Sequence, residues 1–148
     1  MTTHDKKIQK LIDKYVELSN WIRCHHFDHL NVKASDHNRK MRKQTDTYLE
    51  LFHMGKPGIK VLYDLLEHPS PYVRLDTAIF LIPRFTEKCL KIYEELMNLD
   101  NPAQGKDIEQ VKIAAELNNN RWKECGFSLS DMDPLWEQYK DEDFSDFE

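Results

Sequence analysis

Leu62-Tyr-Asp-Leu-Leu-Glu-His-Pro-Ser-Pro-Tyr-Val-Arg-Leu-Asp-Thr-Ala-Ile-Phe-Leu81 decides the fold class. Leu62, Leu65 and Leu66 repeat at helical spacing and end at His68-Pro69. Ser70 can cap a new helix, because its hydroxyl can accept from a backbone N–H that has no partner in the first turn. Pro71 suits the first helical position, where its missing N–H costs nothing. The stretch therefore reads as helix, tight corner and returning helix. Val73, Leu75, Ala78, Ile79, Leu81 and Ile82 leave the second helix apolar nearly all round, which predicts burial on most sides.

Outward from this corner the helical period continues. Ile8, Leu11, Ile12, Tyr15, Leu18 and Ile22 form one stripe, predicting a first helix over about residues 5–25. A second is predicted over 32–53, with Ala34, Met41, Tyr48, Leu49 and Phe52 on its apolar face and Asn38 and Thr45 within it. Gly55 supplies a helix stop and Pro57 opens a third helix. Pro83 breaks the fourth. Thr86 caps a fifth, whose inner face is Cys89, Ile92, Tyr93, Leu96 and Met97. A sixth is predicted over 106–119, ended by Asn118-Asn-Asn120, and a short seventh over 134–139, capped by Asp133. Residues 140–148 read as too polar to pack alone. No segment alternates as a half-buried strand does, so the chain is expected to be all-α with six or seven helices.

The 148 residues suffice for a core without staples, and 40% hydrophobic with 32% charged residues is ordinary for a soluble helical protein. No apolar run spans a bilayer, and the N-terminus lacks a signal-peptide core. Three widely spaced cysteines, Cys24, Cys89 and Cys125, suit a reducing compartment, so a cytoplasmic location is expected. The net charge of −5 is local: in 129–148 eight acidic residues stand against the single Lys140. The expected organisation is a helical domain over 1–128 followed by an acidic, aromatic C-terminal helix and tail over 129–148.

The corner, with Pro71, Val73-Arg74, Ala78 and Leu81 in their places, resembles the core of a HEAT repeat. With Asn38-Arg39 and the Gly55–Pro57 junction, residues 16–98 look like a bacterial HEAT-like family catalogued only as a domain of unknown function (number 2019). The resemblance implies a short helical-repeat array and a protein-binding role. Members and related small helical-repeat proteins occur among immunity proteins of polymorphic-toxin and contact-dependent growth-inhibition systems. The chain departs from the generic repeat at His68, where Asp or Asn normally pairs with the repeat arginine. Arg74 is then left to meet Asp76 or a carboxylate elsewhere.

The acidic tail is the leading candidate site. Asp131, Asp133, Glu137, Asp141, Glu142 and Asp143 are interleaved with Trp136, Tyr139 and Phe144. Carboxylates steer a basic partner and aromatics can fill its pockets. A basic toxin domain is the expected partner, and no cofactor or catalytic group is required. The basic cluster Arg39, Lys40, Arg42 and Lys43 offers a nucleic-acid alternative, weakened by Asp36, Asp46 and Glu50 beside it and by the overall acidity. Cys24, His25, His26 and His29 are metal-capable residues, but no CxxC or HExxH accompanies them, so no metal is expected. Asn38, on the apolar stripe, is expected to be a buried, hydrogen-bonded amide. Pro71, Val73, Arg74 and Asp76 are assigned structural roles.

Overall fold

The computed structural model describes residues 3–24, 33–99, 107–126 and 133–147, and every regular element among them is a helix. The chain divides into two compact units, Met1–Asp64 and Leu65–Glu148.

The first unit holds α1 (Thr3–Cys24), α2 (Ala34–Phe52) and α3 (Lys56–Asp64). Helices α1 and α2 lie antiparallel: Lys7 meets Glu50 at 3.6 Å, while Gln44 donates its amide to the Ser19 hydroxyl at 2.8 Å further along. Leu11, Tyr15, Leu18 and Ile22 of α1 are buried, as their spacing predicts. The face of α2 is rotated from the expected one. Gln44, Thr47, Tyr48, Leu51 and Phe52 are buried, whereas Ala34 is exposed and Met41 is 44% exposed. Asn38 is exposed as well. The buried amide is Gln44, whose bond to Ser19 satisfies both groups inside the helix pair.

Gly55, at φ +78°, makes the left-handed turn between α2 and α3, and its carbonyl accepts from the Ile59 N–H at 3.0 Å. Pro57 sits second in α3, not first. Gly58 matters for a different reason. A Cβ there would run into the Leu51 carbonyl oxygen and come within 2.9 Å of the Met54 Cβ. Its missing side chain lets α3 approach the backbone at the end of α2.

The second unit begins with a 3-10 turn, Leu65–Glu67, and continues through α4 (Pro71–Leu81), α5 (Thr86–Met97), α6 (Asp107–Cys125) and α7 (Asp133–Trp136). The corner is built as its residues dictate. Ser70 accepts from the Val73 N–H at 3.4 Å with Pro71 behind it, and the Ser70 N–H donates to His68 Nδ1 at 3.0 Å. Val73, Leu75, Ala78, Phe80 and Leu81 of α4 are all buried. Cys89, Ile92, Tyr93 and Leu96 form the inner side of α5. Thr86 does not cap α5. It is the first helical residue, and its hydroxyl donates back to the Ile82 carbonyl at 2.8 Å.

Helix α6 runs six residues past the expected stop, through the buried Asn118 and Asn119. Asn118 donates its amide to the Ala114 carbonyl at 2.8 Å, so its side chain is satisfied within the helix. Gly126 ends α6 at φ +72°, with its N–H on the Trp122 carbonyl at 2.8 Å. Among the described residues no helix is long and apolar enough to cross a membrane.

Candidate partner-binding surface

Residues 133–147 are folded, including most of the 140–148 stretch whose polarity was expected to keep it from packing. After α7 come 3-10 turns at Glu137–Tyr139 and Ser145–Phe147. The cause is the aromatic residues, which outweigh the surrounding charge once they find a shared apolar partner. That partner is Phe85, in the turn between α4 and α5. Its ring centroid lies 5.9 Å from Trp136, 5.5 Å from Phe144 and 6.0 Å from Phe147. Trp136 is 5% exposed and donates its indole N–H to the Phe80 carbonyl at 3.2 Å. Phe144 is 4% exposed. Tyr139, half-buried, stands 6.1 Å from Trp136 and 6.4 Å from Phe144.

Arg84 closes the arrangement from outside. Its guanidinium lies 5.0 Å from the Phe144 ring centre and donates to the Glu142 carbonyl at 2.8 Å. A groove of about 320 Å³, lined by Pro83, Arg84, Trp122, Trp136, Glu137 and Lys140, opens on one side of it. A smaller one of about 220 Å³ involves Arg84, Phe85, Asp143, Phe144 and Ser145.

Trp136 and Phe144 are therefore not available as anchors for another protein's pockets, because their apolar surface is spent within the unit. What the segment presents is charge. Glu137, Asp141, Glu142 and Asp143 are all exposed. Two of these carboxylates have local partners: Glu137 meets Lys140 at 3.5 Å, and Asp143 accepts from the Ser145 N–H at 2.9 Å. Asp133 begins α7, but its side chain, like all of Asp131, lies outside the described residues.

The other candidates separate cleanly. Arg39 pairs with Asp36 at 3.4 Å and is exposed, as are Arg42 and Lys43, while Lys40 lies 5.4 Å from the Trp21 ring centre. Cys24 closes α1, and its side chain, with His25, His26 and His29, lies outside the described residues. No group of three metal-ligating side chains occurs among those described.

Pro71 and Val73 are buried in the corner, as is Asp76. Arg74 reaches a carboxylate elsewhere: its Nη1 lies 3.6 Å from Glu95 Oε2, joining α4 to α5. Burial and the Arg74 guanidinium both hold the His68 pKa below its ordinary value. Burial pushes the Cys89 thiol and the Tyr93 phenol far up, so neither ionises near neutral pH.

Sequence reasoning missed the residues that organise this surface, Phe85 and Arg84. Phe85 is a lone aromatic in a turn after Pro83. Its role depends on a segment some fifty residues away, which no local period reveals.

No protein-family model, curated protein or solved structure matches the chain.

Proposed function

We propose that this protein is a cytoplasmic, non-catalytic binding module, a short HEAT-like helical array that neutralises a cognate bacterial toxin by covering its basic active surface. The observation that carries this reading is the folded C-terminal segment, on which Glu137, Asp141, Glu142 and Asp143 stand exposed over a buried aromatic base. Carboxylates held on an ordered backbone lose less entropy on binding than those of a frayed tail. They also attract a cationic partner over a Debye length of about 8 Å at physiological salt. A nuclease surface shaped for phosphate is a natural complement, because carboxylates can occupy the positions of phosphate oxygens. The resemblance of residues 16–98 to a HEAT-like family with members among immunity proteins supports the same reading, and no cofactor is needed for it.

The test starts from the upstream neighbouring gene: if it encodes a large secreted protein, its C-terminal domain is co-expressed with this chain, and an upstream gene of any other kind counts against the reading. Growth rescue and a one-to-one complex are expected. A toxic domain that kills equally well in the presence of this protein would refute the assignment. If the basic helix were the binding surface instead, duplex DNA would shift in a gel, and replacing Arg39, Arg42 and Lys43 would abolish the shift.

A further inference from the structure

Helix α6 has two apolar sides. One packs inside the second unit through the buried Ile108, Val111 and Ala115. On the other, Ile113 is 56% exposed and Leu117 48% exposed. Together with the exposed Gln110 and Asn120 they follow the three-four-three spacing of a helix–helix seam. Single exposed aliphatics need no explanation, but two on adjacent turns, continued by amides and flanked by charge, form a surface suited to another helix.

The flanking charges choose the occupant. Glu109 lies near the start of α6, 3.7 Å from Lys112 of its own helix, and Arg121 and Lys123 lie near its end beside Glu124; Glu109, Arg121, Lys123 and Glu124 are all exposed. We infer that this face pairs with α6 of a second copy of the chain, antiparallel, about a twofold axis level with Ala115. That register sets Ile113 against the partner's Leu117 and Gln110 against the partner's Asn120. Both contacts occur twice by symmetry. Along one flank Glu109 falls beside the partner's Lys123, again twice. A parallel pair would keep a Glu116–Arg121 contact but lose both Glu109–Lys123 contacts, and it would align rather than oppose the two helix dipoles.

One contact works against the antiparallel dimer: Glu116, exposed on the same flank, comes close to the partner's Glu116 near the axis. The interface is also small. A single helix pair buries less than the roughly 1,600 Å² of a standard interface, so the dissociation constant should be on the order of 100 μM.

Sedimentation velocity on the full chain, from about 1 μM to about 1 mM, tests this. The mass should climb from 17.7 kDa toward twice that value. Leu117→Glu should remain monomeric with an unchanged circular dichroism spectrum. Glu109→Lys and Lys123→Glu should each weaken the dimer about tenfold, and the double variant should restore it. Glu116→Gln should tighten it severalfold. A mass of 17.7 kDa at every concentration would overturn the inference and leave the face to a different protein. So would a dimer indifferent to Leu117→Glu. Weakening by Glu116→Gln would refute the antiparallel register, because a parallel pair sets Glu116 beside the partner's Arg121.

Discussion

Replacing Phe144 with alanine removes the ring that the C-terminal segment folds around. Phe144 is buried, 5.5 Å from Phe85 and 5.3 Å from Phe147, with the Arg84 guanidinium 5.0 Å from its centre. Truncating a buried Phe to Ala costs about 3–5 kcal/mol through lost transfer energy and the cavity left behind. The groove of about 220 Å³ beside Phe144 lets water and neighbouring side chains relax into the space. The low end, about 3 kcal/mol, is therefore expected. With a urea m-value of about 2 kcal/mol/M, the midpoint should fall by roughly 1.5 M. Urea titration followed by near-ultraviolet circular dichroism measures it, since Trp136 and Tyr139 of the ring cluster contribute to that signal. Glu142→Gln is the control: its side chain is exposed and Arg84 uses only its carbonyl, so the change should stay within about 0.5 kcal/mol. A Phe144→Ala loss as small as that of the control would refute the packing argument, because a segment that merely solvates the chain would give just that result.

Gly58→Ala should destabilise the first unit by about 2 kcal/mol in thermal or urea unfolding. The gain in helix propensity, about 1 kcal/mol, cannot offset the displacement of the Leu51 backbone. His68 should titrate below its ordinary value of 6.5 by NMR. A lowered folded-state pKa means the unfolded chain binds the proton more readily. The His68 contribution to stability is thus intact above the unfolded value and is lost as pH falls through the folded one. Protonation also fills the Nδ1 lone pair that accepts from Ser70, so His68→Ala should flatten this part of the stability–pH curve. A thiol reagent should modify the exposed Cys125 in the native protein and the buried Cys89 only after unfolding, as peptide mapping can establish.

The corner was legible because its signals are local. A cap, a proline and an uninterrupted apolar run specify α4 within a dozen residues, and burial on most sides follows directly. Two other features were ambiguous for physical reasons. In α2, both Asn38 and Gln44 lie among apolar residues, and a rotation of about one residue exchanges which is inside. The outcome depends on Ser19, a hydroxyl on another helix. In α6, three successive asparagines look like a stop because they compete poorly for helix. Burial of two of them overrides that preference, and Gly126 provides the actual end.

The tail illustrates a third limit. Its charge was plain, and the described acidic residues Glu137, Asp141, Glu142, Asp143 and Asp146 are exposed, but composition alone could not pair Trp136 and Phe144 with Phe85. That pairing also alters what a truncation means. Deleting residues after 129 would remove buried rings along with exposed carboxylates, confusing loss of fold with loss of contact.

Charge should therefore be removed without disturbing the rings. Glu137→Gln, Asp141→Asn, Glu142→Gln and Asp143→Asn in one chain keep the shape, and asparagine at 143 retains an oxygen for the Ser145 N–H. Calorimetric titration against the toxin domain that the co-expression test identifies, at about 0.05 M and 0.3 M salt, gives the deciding comparison. The account predicts at least a hundredfold loss of affinity at low salt and a nearly flat salt dependence in the variant. Equal affinity and equal salt dependence for the two chains would contradict it.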